Sequence, residues 1–174
     1  MDELILVEPS LAYTQQLFLY KKESLAHHPK IHGGNSLEAF EEVSDWLQYL
    51  EDKKTPELRP PGHVPDSTYL CIRSWDKRVV GIVNIRHELS DHLLHFGGHI
   101  GYSVRPGDRG RGYGVLQLKM ALKECAKLSI NPVLLTCTQD NQISGRVIQN
   151  CGGVLEDMQI SPEGEVMQRW WITI

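Results

Sequence analysis

The apolar positions change period several times along the chain, and each change marks an element. Leu4–Val7 is a short apolar run closed by Pro9 and reads as a strand. Ser10 then stands as a cap, and Leu11, Tyr13, Leu17, Tyr20 and Leu25 supply an irregular stripe that predicts a helix to about Ala26. A second helix is predicted from Asn35 as cap with Glu38 three residues on, because Leu37, Phe40, Val43, Leu47 and Leu50 recur at helical spacing as far as Lys53. Residues 68–75 and 78–89 read as strands joined by the polar pair Asp76-Lys77, which predicts a hairpin. A strand over 99–104, a helix over 113–128 that buries Leu118, Leu122 and Cys125, and a strand over 132–137 follow. The chain closes with a short helix over 141–150 and strands over 154–158 and 165–174, turned at Pro162-Glu163-Gly164. Trp170 and Trp171 face opposite ways in the last strand, so one belongs to the core and the other to a cleft or a homodimer contact.

Between these elements lie two loops of distinct character. Residues 27–34 are polar and carry Gly33-Gly34, and residues 54–65 hold Pro56, Pro60, Pro61 and Pro65, which excludes helix and central strand there. The strand, helix and strand over 99–137 form a crossover, and a crossover predicts parallel pairing of its two strands. An otherwise antiparallel sheet with one parallel pair and flanking helices is an α+β fold, and 174 residues suit one domain.

Composition narrows the function. A net charge of −4 argues against nucleic acid as partner, and no apolar run reaches the length of a membrane span. The acidic opening MDELILVEPS lacks a signal-peptide layout, so a cytoplasmic setting is the expectation. Cys71, Cys125, Cys137 and Cys151 are scattered and read as buried, reduced residues. His92, His95 and His99 have spacings that suit a helix face, but Phe96-Gly97-Gly98 disfavours a helix there, and no metal site is expected.

The chemistry concentrates in residues 100–114, IGYSVRPGDRGRGYG: a strand, a glycine-rich turn and the opening of a helix. Glycines let backbone N–H groups approach a ligand, and the unpaired amides of a helix start favour phosphate. Arg109 and Arg111 add charge-assisted donors. The Rossmann and P-loop patterns do not fit, since the glycines fall at every second position and no Gly-Lys-Ser/Thr follows. Arg109-Gly110-Arg111-Gly112-Tyr113-Gly114 resembles the Arg/Gln-x-x-Gly-x-Gly/Ala signature of the GNAT acyltransferases. Downstream, Asn141, Ser144 and Gly152-Gly153 are similar to that superfamily's branch that acetylates ribosomal-protein N-termini, and the likeness runs from about Val79 to the C-terminus.

The resemblance implies the GNAT fold, in which the two parallel strands splay apart to admit the pantetheine arm, with acetyl-CoA as co-substrate and transfer of its acetyl group to a primary amine of a small molecule or peptide. It places Tyr102, Ser103 and Val104 along the pantetheine arm, and Arg109, Gly110, Arg111, Gly112, Tyr113 and Gly114 around the pyrophosphate. Asn141 and Ser144 would meet the arm near its thiol, and the Val104 N–H would polarise the thioester. Many of these enzymes carry a tyrosine acid seven residues after the asparagine; here that position is Ile148, leaving Ser144 as the local substitute. His99 is the candidate base, with His87 and Glu88 as alternatives. By the same analogy, loop 27–34 would cover the acceptor side. A CoA-binding sensor without catalysis, and a nucleotide binder without CoA, are the competing readings.

Overall fold

The computed structural model describes residues 1–174. The elements run β1 (Leu4–Val7), α1 (Thr14–Leu25), α2 (Val43–Asp52), β2 (Asp66–Arg73), β3 (Arg78–Arg86), β4 (Ile100–Val104), α3 (Tyr113–Lys127), β5 (Val133–Thr138), α4 (Gln142–Asn150), β6 (Val154–Ile160) and β7 (Val166–Ile172). The fold is α+β, and its strands divide into two antiparallel sheets ordered β1-β2-β3-β4 and β5-β7-β6.

The first sheet is packed on both faces, which is why β3 is apolar and buried from Val79 to Ile85 apart from Asn84. On one face α1 and α2 bring Leu17, Tyr20 and Trp46 against Leu70, Ile72 and Ile82. On the other, Leu118, Leu122 and Cys125 of α3, together with Ile148 of α4 and Leu135 and Trp170 of the second sheet, meet Val83, Ile85 and Ile100. Trp170 is the core member of its pair, while Trp171 lies at the rim and donates from Nε1 to Glu156 at 2.7 Å.

The parallel ladder predicted for the crossover does not form. β4 and β5 belong to different sheets, joined by one antiparallel bridge between Gly98 and Leu135. The chain enters β4 through a single π-type turn, Leu93–Gly97, and Gly98 at φ 70°, which redirects it away from β5 after that contact. A helical turn at this point was not expected, since Phe96-Gly97-Gly98 disfavoured a helix. The outer edge of β4 is thus left without a backbone partner, facing a gap.

Two predicted helix starts are also corrected. Leu11 is 67% exposed, Leu11–Tyr13 is a 3-10 turn, and Ser10 makes no cap bond, so α1 begins at Thr14. The predicted second helix begins only at Val43, because Asn35 is spent elsewhere: its Nδ2 donates to Asp66 and Thr68, both at 3.2 Å, and its Oδ1 accepts from Lys53 Nζ at 2.8 Å. Asn35 and Ser36 stand in left-handed backbone (φ 49° and 66°), a conformation that breaks any helix.

Trp46 pins this segment to α2. Its ring is fully buried and its Nε1 donates to the carbonyls of Gly34 and Asn35, at 3.1 and 3.2 Å. Trp46→Ala should therefore cost about 3–5 kcal/mol in urea unfolding, whereas Trp46→Phe, which keeps most of the volume but leaves the Asn35 carbonyl without its donor while Gly34 O keeps the Leu37 N–H, should cost about 1–3 kcal/mol.

Candidate active site

The free edge of β4 is the first component. Arg86 N–H donates to His99 O at 2.7 Å and Arg105 N–H to Val80 O at 2.8 Å, which sets the phase of the β3–β4 ladder. Because bonded residues alternate in an antiparallel pair, Gly101 and Ser103 turn their backbone to β3, while Tyr102 and Val104 turn theirs to the gap. Tyr102 and Val104 therefore carry their backbone groups on the side away from β3. Ser103 does not: its carbonyl accepts from Gln117 Nε2 and from Tyr20 OH, both at 3.2 Å, and its Oγ lies 2.8 Å from the same hydroxyl.

The second component is the glycine turn. No backbone N–H in residues 110–115 donates to any group of the chain, so six successive donors are free. Gly112, at φ 79° with open space where a Cβ would stand, opens α3 in left-handed backbone, and Gly110 matches it at φ 78°. Arg109 folds its Nε back onto Val104 O at 3.2 Å, and Arg111 is exposed. Tyr113 presents only its amide, since its buried side chain points inward and its hydroxyl meets Arg73 and Asp2. Gly114 serves packing, because a Cβ there would lie 3.2 Å from Val147 of α4.

Beneath the turn runs a charged network invisible in the sequence pattern. Glu23 of α1 accepts from Gly107 N–H and from Arg105 Nε, both at 2.6 Å. Asp108, only 3% exposed, accepts from Arg78 Nε at 2.7 Å and Arg73 Nη1 at 3.3 Å. Burial works to raise the Glu23 carboxyl, but the Arg105 and Gly107 donors outweigh it and hold it below its ordinary value.

The third component lies across the gap. Asn141 caps α4, its Oδ1 accepting from Ser144 N–H at 3.2 Å. Ser144 Oγ is 3.2 Å from Tyr102 OH, so the two walls of the gap meet through these hydroxyls. Burial, only partly offset by the Ser144 contact, pushes the Tyr102 phenol up to about 12. Ile148 is fully buried in the core, so the position where the resemblance looked for a tyrosine acid holds a packing residue.

His99 does not occupy the place of a base. It is 8% exposed, and its Nδ1 accepts from Leu134 N–H at 2.9 Å while its own N–H donates to Leu134 O at 2.7 Å. Burial, reinforced by the neighbouring Arg86 guanidinium, pushes its pKa down to about 4. At neutral pH the ring is uncharged, and with Nδ1 accepting, the ring proton sits on Nε2, so neither nitrogen offers a free lone pair. His99 is a clamp between the two sheets. Of the alternatives, His87 Nε2 is 2.7 Å from Ser67 Oγ and Glu88 is exposed. His95 turns to Gln159 Oε1 at 2.8 Å, away from His99's partner on β5.

Loop 27–34 does reach β4: a Cβ on Gly33 would lie 2.5 Å from Gly101 O, so only glycine permits this approach. The Gly33-Gly34 doublet was the available signal for that contact; nothing in the sequence marked Glu23 or Arg86.

Two outcomes follow. Glu23→Gln should weaken CoA binding roughly tenfold by calorimetry, as a charge-assisted hold on the turn becomes a neutral one. In the wild type that hold is complete above the ordinary carboxyl value of 4.5 and is lost as pH falls below it, because the folded carboxyl is the more acidic. For His99 the folded ring is the weaker base, so stability should decline as pH drops from 6.5 toward about 4. Over that range the unfolded chain gains a proton the folded chain refuses. His99→Gln should flatten this limb in urea melts; an unchanged slope would contradict the clamp.

Comparison with known proteins fits this geometry. A family model described as an acetyltransferase (GNAT) domain matches residues 4–154. The microcin self-immunity acetyltransferase MccE, solved with acetyl-CoA and AMP, superposes with a TM-score of 0.71 at 19% identity, over 100% of this chain and 94% of its own. The ribosomal-protein acetyltransferase RimL, solved with coenzyme A, gives 0.72 at 15%, over 98% and 94%. The spermidine N-acetyltransferase of Vibrio cholerae, with CoA and spermine, gives 0.69 at 12%, over 98% and 95%. At such identities these likenesses speak for the fold alone, and no curated protein matches the sequence. The family match is of another order, since it takes in β4, the glycine turn and α4 together: the chain belongs to the GNAT acetyltransferase family.

Proposed function

We propose that this protein is a single-domain N-acetyltransferase that moves the acetyl group of acetyl-CoA to a primary amine of a small molecule or peptide by direct attack. The observation that carries the reading is the adjacency of six free amides in residues 110–115 to a strand edge with unpaired backbone. The amides match a pyrophosphate, and the edge matches the amide-bearing pantetheine arm, which would add to β4 as a peptide adds to a sheet.

In the reaction the amine lone pair attacks the thioester carbonyl carbon, and the Val104 N–H stabilises the charge that grows on the oxygen. The C–S bond breaks, the thiolate takes a proton, and the new amide nitrogen releases one to solvent. With Ile148 in the core, the proton donor is the Tyr102 hydroxyl, relayed by or shared with Ser144. A phenol pushed up to about 12 is protonated at neutral pH but is a weak acid, so it would part with its proton only as charge builds on the sulfur, and it regains one from solvent. No residue in this scheme acts as a strong base; the amine arrives neutral.

The sensor reading draws on Ile148, and the Tyr102–Ser144 pair is the answer to it. The four cysteines are all free, as suits a reducing, cytoplasmic setting; no helix is long and apolar enough to cross a membrane.

Thiol release from acetyl-CoA should be seen with at least one member of a broad amine panel; tight CoA binding with no turnover for any would favour the sensor. Tyr102→Phe should lower kcat about 10²-fold or more with little change in CoA affinity. Its loss should be largest at high pH, where solvent supplies protons least readily.

A further inference from the structure

Arginines buried in this protein hold carboxylates. Arg73 pairs with Asp76 and Asp108, Arg105 with Glu23, and Arg169 with Glu156 and Asp157. Arg86, at the end of β3, is an exception. It is partly buried, no carboxylate lies within 4.0 Å of it, and only its Nη1 is used, donating to Gly97 O at 3.1 Å and Gly98 O at 3.3 Å. Nε and Nη2 have no acceptor in the chain, yet neither is sealed from solvent. The one carboxylate whose field reaches the guanidinium, Asp66, is already bound to Lys53 at 2.6 Å. The groups nearest in charge are His99 and His32, both held toward the neutral form, chiefly by burial.

The position of the free donors is informative. Nη2 lies 3.2 Å from where a Cβ on Gly101 would stand, and Gly33 N lies 3.3 Å from the same point. The guanidinium therefore sits over β4 between the acceptor-side loop and the strand edge. Three residues of strand separate Gly101 from Val104, roughly 10 Å. Between a thioester at Val104 and an unpaired cation over Gly101, an amine with an anionic group a few bonds away fits both ends.

We propose that Arg86 reads an oxyanion, carboxylate or phosphate, on the acceptor, so that the preferred substrate is an amine bearing such a group within a few bonds of its nitrogen. The inference rests on the acetyltransferase reading for the role of the amine, but the oxyanion contact is separable from turnover. An arginine stays charged throughout the working pH range, and its planar fork suits either anion. Leaving it unpaired in the free protein costs desolvation that a bound anion returns.

The test uses paired compounds: β-alanine against its amide, and phosphoethanolamine against ethanolamine. Binding to the CoA-loaded protein is followed by calorimetry, alongside acetylation rates. The anionic member of at least one pair should bind about tenfold tighter or better, as expected of a charge-assisted contact. The carboxylate and phosphate pairs then show which anion is taken. Arg86→Gln should abolish that preference with CoA affinity intact, and Arg86→Lys should retain part of it. If the wild type shows no preference in either pair, or if Arg86→Gln weakens anionic and neutral members alike, the proposal fails whether or not any amine is acetylated. Arg86-dependent anion binding without turnover would instead overturn the acetyltransfer reading and leave this one standing.

Discussion

The site depends on a glycine turn that does not hold itself. Residues 110–115 make no internal amide bonds, so their conformation comes from what lies underneath, the carboxylates of Glu23 and Asp108 set among Arg73, Arg78 and Arg105. Burying such charges yields little net stability, since desolvation offsets most of the attraction. What it yields is position. Glu23 reaches from α1 to Gly107, and Arg73 and Arg78 from the β2–β3 hairpin to Asp108, so distant segments converge on one turn. Both carboxylates are taken up by these arginines and the Gly107 N–H, and neither accepts from the free amides.

The open strand edge is the second dependency. An unpaired edge ordinarily invites association; here it lies in a gap whose walls are fixed at two points. His99 ties the mouth of β4 to Leu134, and the Tyr102 and Ser144 hydroxyls meet further along. Along this edge the Tyr102 backbone and the Val104 N–H remain available for a ligand strand, Val104 O being held by Arg109 Nε. The same neutral, accepting imidazole that makes His99 a good tie deprives it of the lone pair a base requires.

How much of this was legible follows from the range of the interactions. The strand, free-amide turn and helix start of residues 100–114 were legible directly, because such a backbone pattern needs glycines close together and a helix start just after them. The β2–β3 hairpin and the buried face of α3 were legible for the same reason: their patterns are local. The second helix was displaced because Asn35, a good cap by sequence, found Asp66, Thr68 and Lys53 in space. The parallel pairing was misjudged because topology does not report that Gly98 turns the chain after one bridge. Glu23 and Arg86 gave no signal at all, being ordinary charged residues until the fold sets one under the turn and the other over Gly101.

This asymmetry explains why the proton donor can move between walls. A cofactor held by backbone constrains a short stretch of sequence, whereas the thiol needs only one hydroxyl within reach, from whichever side supplies it. On α4 that would cost a core position, and Ile148 fills the core here, fully buried beside Leu135 and Trp170. β4 faces the same gap from across, and Tyr102 already lies on its inward side, so a hydroxyl there needs no cavity in the packing of α4. Ser144, one turn before Ile148, keeps that hydroxyl oriented. On the proposed reading the residue that gives the proton belongs to the strand that would also bind the cofactor, so the reacting group and the thioester would share one rigid support.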